Sequence, residues 1–350
     1  MTDAYVALEG ERVVEARARS PGTTRGELVF TTAYTGYEES LTDPSYEEQI
    51  LTFSYPLIGN YGVREERFES DRVHPRGVVA RELTDDVAEW LQEEGRPAVD
   101  HIDTRELVTE IRDEGAMKCG IAAGEDVTEE DALAELRQCK HMSDHTDIGK
   151  QVSVSDPVVY NEEGDGPDVA LIDCGAKGSI QESLVERGAV VHVLPYDTTP
   201  AEIEALDPDL LFISNGPGDP ENFEGAAELV DAYVGDVPLA GICLGQQVVA
   251  NALGGETEKM EFGHRGVNQP VRDLRTDQVV MTTQNHGYTV AEPGDTLEVT
   301  QINVNDNTPE GLENDDLDII TRQYHPEANP GPNDSLSFFD DVLDLVEQEG

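Results

Sequence analysis

At 350 residues the chain is long enough for two domains of ordinary size. Its 74 acidic residues outnumber 23 basic ones, for a formal net charge of −51, which argues against a nucleic-acid or anionic-membrane binder. The acids are dispersed through apolar-patterned segments, not gathered into a tail, as expected of a fold adapted to concentrated salt, where counter-ions screen self-repulsion. Lysine is scarce: Lys118, Lys140, Lys150, Lys177 and Lys259 are all of them. Cys119, Cys139, Cys174 and Cys243 lack the spacing of a zinc site or a disulfide framework, so no metal is expected. The N-terminus has no basic region followed by an apolar run, and no apolar run approaches the ~20 residues of a membrane span. The expectation is a soluble, cytoplasmic chain.

Residues 1 to about 75 read as β-rich, with apolar stretches at Tyr5–Leu8, Leu28–Thr32 and Gln49–Phe53 between Gly, Pro and Asp turns. Asp43-Pro44-Ser45-Tyr46 is a turn signal, and Tyr55 to Gly62 is a rigid, Gly-punctuated loop. Val78 and Val79 read as a strand. Helices are predicted over Thr84–Glu94, over Asp103–Glu114 with Asp103 as N-cap, and over Asp126–Gln138. From Val152 to about Pro167 the apolar pattern weakens and polar, Gly/Pro-rich residues take over. The domain boundary is placed there, giving 1–151, a linker at 152–167, and 168–350.

After the linker the rhythm changes. Apolar runs at Val169–Ile172, Val190–Leu194, Leu210–Ser214 and Leu239–Ile242 alternate with helices at Ser179–Arg187, Pro200–Leu206, Asn222–Val234 and Gly245–Leu253. Four β-α repeats with short connections predict an α/β fold with a doubly wound, mostly parallel sheet, whose reactive groups belong at the carboxyl ends of the strands. Beyond Gly255 the pattern predicts antiparallel strands at Gln278–Thr283, Leu297–Gln301 and Asp318–Gln323. A closing helix runs from Asp334 to about Glu347, with Leu336, Phe339, Val342 and Leu345 as its stripe.

Cys243 sits between the run Leu239–Ile242 and the next helix, flanked by Gly241 and Gly245. Gly-x-nucleophile-x-Gly is the sequence form of a sharp strand-to-helix turn that pushes the central side chain out at the sheet edge. A thiol there lies at a helix N-terminus, whose dipole and free N–H groups favour thiolate. On its own the motif reads equally as a buried structural cysteine. His325 ends an apolar stretch and is followed by Pro326 and Glu327. Proline keeps the preceding residue extended, so residues two apart point to one side and the Glu327 carboxylate can reach the His325 imidazole; on its own the sequence reads sooner as a surface His-Pro-Glu turn. The N–H of Leu244 is the natural first oxyanion donor, and Asn215-Gly216-Pro217-Gly218, right after the third run, supplies backbone for a second.

Gly-Ile-Cys-Leu-Gly-x-Gln, the upstream Ser-Asn-Gly-Pro-Gly-Asp-Pro and the late Tyr-His-Pro-Glu together resemble the triad-type (class I) glutamine amidotransferases, whose C-terminal domain is flavodoxin-like. Thr-Gly-Tyr-Glu-Glu-Ser-Leu-Thr-Asp-Pro-Ser-Tyr, Tyr-Pro-Leu-Ile-Gly-Asn-Tyr-Gly and Ile-Asp-Thr-Arg-Glu-Leu resemble the partner-facing N-terminal domain of carbamoyl-phosphate synthase small subunits. The resemblance implies Cys243 as nucleophile, His325 as acid/base and Glu327 as its orienter. It implies glutamine-binding roles for Ser45, Gly216, Gly218, Leu244, Gln247, Asn285, Gly287 and Tyr288. Gln246 stands where the family often has His, and Tyr288 where it often has Phe. The activity implied is hydrolysis of L-glutamine through a thioester, with ammonia passed to a large subunit that uses ATP and bicarbonate. This chain has no phosphate-binding Gly-rich motif, so no cofactor is expected in it and the ATP chemistry falls to that partner. An amidotransferase of another synthase, a partner-free hydrolase and a silent regulatory subunit are the competing readings. The β-rich front half counts against the first, and an intact Cys243, His325 and Glu327 against the last.

Overall fold

The computed structural model describes residues 3–348. The chain divides into two compact units, Met1–His145 with Met260–Gly266, and Thr146–Lys259 with Val267–Gly350.

The first unit is built on a closed barrel. Its strands are β1 (Ala4–Leu8), β2 (Arg12–Ser20), β3 (Gly22–Thr31), β4 (Gln49–Phe53), β5 (Gly77–Val79), β6 (Ala98–Asp100) and β7 (Met117–Ala123), in the order β1-β2-β6-β5-β4-β3-β7. The run β3-β4-β5-β6 is parallel and the remaining pairs are antiparallel, with β7 closing onto β1. Closure leaves no free edge. Val6, Leu28, Ile50, Val99 and Ile121 fill one apolar cluster of the unit. The helix Thr104–Glu114 is capped as its sequence predicts, the Asp103 carboxylate accepting from the N–H groups of Arg105 and Glu106 at 3.1 Å. The expected helix start at Asp126 moves to Glu129, where Thr128 and Asp131 form a capping box; Asp126 has φ +63° and belongs to the preceding turn. Strands β2, β6 and β7 and the short helix Tyr37–Thr42 are absent from the sequence reading. In β7 the misleading residue is Gly120, which looks like a breaker. A Cβ there would lie 2.4 Å from the Ala132 carbonyl oxygen, so the glycine lets the helix Glu129–Gln138 settle on the strand.

The second unit holds β8 (Val158–Tyr160), β9 (Asp168–Asp173), β10 (Val190–Pro195), β11 (Leu210–Ile213), β12 (Leu239–Ile242), both ends of β13 (Glu256–Asp273, of which Met260–Gly266 belong to the first unit), β14 (Val279–Glu292), β15 (Glu298–Asn303), β16 (Pro309–Asn314) and β17 (Ile319–Arg322). They form one sheet in the order β14-β13-β15-β16-β17-β12-β11-β9-β10-β8. The predicted repeats are all present, and β10-β9-β11-β12-β17 run parallel with the 2-1-3-4-5 connectivity of a flavodoxin-like sheet. Val169, Leu171, Val191, Phe212, Ala240 and Ile242 make its core, continuous apolar runs because helices cover the strands.

Three expectations change. The stretch Asp318–Gln323 was expected to be antiparallel, but β17 pairs parallel to β12 and antiparallel only to β16. A fifth parallel strand arriving after a long hairpin, not after a helix, hides that direction from the sequence. The closing helix begins at Phe338 instead of Asp334 and buries Phe339 and Val342. The polar stretch 161–167 lies inside the second unit and does not part the two: β8 pairs with β10, and the Asn161 side chain donates to the carbonyls of Gly188 and Ala189. Gly/Pro-rich composition marks a tight turn as readily as a linker. Among the described residues no helix is long and apolar enough to cross a membrane.

Phe212 is fully buried at the middle of the parallel core. Phe212→Ala should lower the unfolding free energy by ~3–5 kcal/mol, read from denaturant titration in concentrated salt.

Candidate active site

The site is assembled at the carboxyl end of β12. The chain leaves Ile242 and turns through Cys243 into the helix Leu244–Ala252. Cys243 has φ +54° and ψ −103°, a conformation a side-chain-bearing residue adopts only when its surroundings enforce it. Two constraints do so. The Cys243 N–H donates to the Arg322 carbonyl at 2.7 Å, tying the turn to β17. Gly245 lets the new helix press on β11, since a Cβ there would fall 2.1 Å from the Ile213 carbonyl oxygen. The thiol is 2 % exposed, and its sulfur lies 3.9 Å from the Asn285 carbonyl oxygen on β14.

The strand exit after β17 brings the imidazole. The His325 N–H donates to Thr283 on β14 at 2.9 Å, which holds the residue in extended backbone as Pro326 requires. Its Nδ1 is 2.6 Å from Glu327 Oε1. With Nδ1 committed to the carboxylate, Nε2 has no hydrogen-bond partner and is left for the sulfur, whose nearby charge favours the protonated ring. Burial works against a charged imidazole, but Glu327 and Cys243 outweigh it and hold the His325 proton up to about 10. The Glu327 carboxyl is pulled the other way. Burial favours its neutral form, yet the charges of Lys177 and His325 keep it ionised down to about 2.

Lys177 is the residue the sequence reading missed. It is 2 % exposed at the start of the helix Gly178–Val185, and its Nζ donates to Glu327 Oε1 and to the Ala328 carbonyl, each at 3.0 Å. Its own N–H donates to Asn215 Oδ1 at 3.1 Å, which links the carboxylate to the Asn215–Gly218 loop. The available signal was compositional: one of five lysines, at the carboxyl end of a core strand.

The other expected positions fall into two groups. Gly216 and Gly218 follow β11, and Leu244 and Gln247 open the helix after Cys243. A Cβ on Gly216 would meet the Cys174 carbonyl oxygen at 2.1 Å and the Leu244 side chain at 2.8 Å, so the loop and the helix start are in direct contact. Asn285, Gly287 and Tyr288 lie on β14. The Gln247 side-chain amide donates to the Tyr288 carbonyl at 2.8 Å and to Gln323 Oε1 at 3.1 Å, fixing the helix to that strand. Ser45 belongs to the first unit, in the short 3-10 turn Pro44–Tyr46, and its N–H is capped by Asp43. Gln246 is fully buried; Thr321 Oγ1 donates to it at 3.2 Å and its amide reaches the Pro309 carbonyl at 3.4 Å. These partners belong to β16 and β17 and make it a packing residue. Burial pushes up the thiols of Cys119, Cys139 and Cys174.

Residues 170–345 match the model of the class-I glutamine amidotransferases, and residues 6–121 that of the carbamoyl-phosphate synthase small chain, CPSase domain. The chain is 69% identical over 347 residues to a carbamoyl phosphate synthase small chain of Halobacterium salinarum, covering 99% of this chain and 98% of the relative. A small chain of Methanocaldococcus jannaschii is 44% identical over 329 residues, covering 93% of each. One of Listeria monocytogenes is 44% identical over 359 residues, covering 99% of this chain and 97% of the relative.

Two outcomes follow from the charge arrangement. In Glu327→Gln the imidazole loses its counter-charge while burial remains, so the His325 titration, followed by NMR, should fall from about 10 to the ordinary imidazole range or below. Lys177→Met strands a buried carboxylate and should cost ~3–5 kcal/mol in unfolding free energy. A loss under ~1 kcal/mol, the value typical of surface ion pairs, would contradict the buried pairing.

Proposed function

This chain belongs to the carbamoyl phosphate synthase small chains, and from that premise we propose how its own residues hydrolyse glutamine. It is the glutamine amidotransferase subunit of that enzyme, and it converts L-glutamine to glutamate and ammonia. The single observation that carries the residue assignment is the meeting, within one buried cluster, of a thiol on a forced turn with an imidazole backed by a carboxylate.

The Cys243 thiolate attacks the side-chain amide carbon of glutamine, forming the C–S bond and moving the carbonyl π pair onto oxygen. The oxyanion is met by the N–H of Leu244 at the helix start and by backbone N–H of the Gly216–Gly218 loop, which touches it. His325, protonated against Glu327, gives its proton to the amide nitrogen as the C–N bond breaks, and ammonia leaves. A glutamyl thioester remains. The now neutral His325 takes a proton from water, hydroxide adds to the thioester carbonyl, and collapse of that second oxyanion expels the sulfur and frees glutamate. Glu327 keeps its charge throughout and Lys177 keeps Glu327 in place. Gln247, Asn285, Gly287 and Tyr288 bind the glutamine.

The ammonia passes to a large chain that carries the ATP and bicarbonate chemistry, so this chain needs neither metal nor cofactor. We place the activity in the cytoplasm. The net charge of −51 fits a working medium of concentrated salt.

Cys243→Ser should abolish glutaminase turnover by a factor of at least ~10³, with folding intact by circular dichroism. Undiminished turnover in this variant would remove the nucleophile assignment. Dilution from molar to millimolar KCl should unfold the wild type, detected by loss of near-UV circular dichroism; a protein unchanged in dilute buffer would refute the salt adaptation.

A further inference from the structure

In an antiparallel sheet packed on one side, the other side should be polar. The end of the large sheet departs from this. The Asp273 N–H donates to Gln278 O and the Thr282 hydroxyl to Gln269 O, a register that sets Val279 beside Arg272 and Met281 beside Pro270. On the next strand Arg272 faces Ile302, and the Val304 N–H donates to Pro270 O. Two rows cross three strands: Val279–Arg272–Ile302 and Met281–Pro270–Val304. The alternate residues Val271, Thr282 and Asn303 are fully buried, so they form the core side and these rows point outward. Val279 is 53% exposed, Val304 45% and Met281 39%. In a chain with 74 acids, neither row contains one.

The only charge in the rows is Arg272. Its Nε is buried without a hydrogen-bond partner, and no ion pair reaches the guanidinium among the described residues. An apolar patch around a cation without a counter-ion suits a surface that supplies both apolar cover and a carboxylate.

We propose that these rows are a docking surface for the large chain of the synthase, through an apolar segment whose carboxylate meets Arg272; this rests on the functional reading above. A second copy of this chain is the poorer occupant. Joined across a twofold axis it would bring Arg272 against Arg272, offer no carboxylate from the same rows, and add its own charge of −51.

The test compares wild type with Met281→Glu, Val304→Glu and Arg272→Glu as purified full chains in concentrated KCl. Binding to the purified large chain is followed by light scattering, alongside the glutaminase rate of the isolated chain. Each variant should bind the large chain roughly tenfold more weakly or worse, the effect of spoiling an interface anchor, with the isolated glutaminase rate unchanged. Glutamine-dependent carbamoyl phosphate synthesis should fall in proportion at limiting large chain, while ammonia-dependent synthesis is untouched. Wild-type affinity in all three variants overturns the surface assignment and leaves the functional reading standing. Variants that lose only self-association give the face to a second copy and overturn it as well. A wild-type chain that fails to bind the large chain sinks the functional reading and this inference with it.

Discussion

A carboxylate held between two cations, away from water, governs the candidate site. Glu327 is 2 % exposed and touches both the ammonium of Lys177 and the imidazole of His325. In a medium of low effective dielectric such a group is stable only while its neighbours stay charged and close. The arrangement therefore fixes positions as well as protonation. Lys177 also grips the Ala328 carbonyl and, through its own N–H, the Asn215 side chain. One buried lysine thus joins the ends of β9, β11 and β17, the last two of which carry parts of the site.

The sheet explains why these ends are the right places. In the 2-1-3-4-5 order, loops at the carboxyl ends of neighbouring parallel strands gather on one side. β12 supplies the sulfur, β11 the Gly-rich loop, and β17 the imidazole. The long hairpin of β13 and β14 adds Asn285 to Tyr288 from the flank. Gln247 and Gln323, both buried, join the nucleophile helix to that flank through one shared amide.

Most of the parallel sheet was legible because its strands are continuous apolar runs between amphipathic helices. Leu239–Ile242 and Pro200–Leu206 fall where the pattern puts them. The candidate thiol and imidazole stood out for a different reason: Gly-flanked Cys243 and Pro-locked His325 carry backbone constraints in their own neighbours. What stayed hidden depends on contacts distant in sequence. The 18 residues of β13, rich in Glu and Arg, show no clear alternation, and only pairing across the sheet makes them a strand. Lysine belongs by default on a surface, so the burial of Lys177 was invisible until its carboxylate was in place. The polar turn at 161–167 resembled a linker because composition does not report what a turn packs against.

The forced geometry at Cys243 has a consequence for how this chain tolerates change. A backbone at φ +54°, ψ −103° is one that glycine adopts freely and cysteine does not. Replacing the sulfur-bearing side chain by hydrogen would relax the turn and, on the role proposed for Cys243, remove the nucleophile. The turn thus sits on a trade-off between durability and turnover, and random drift toward a firmer fold runs downhill to loss of activity.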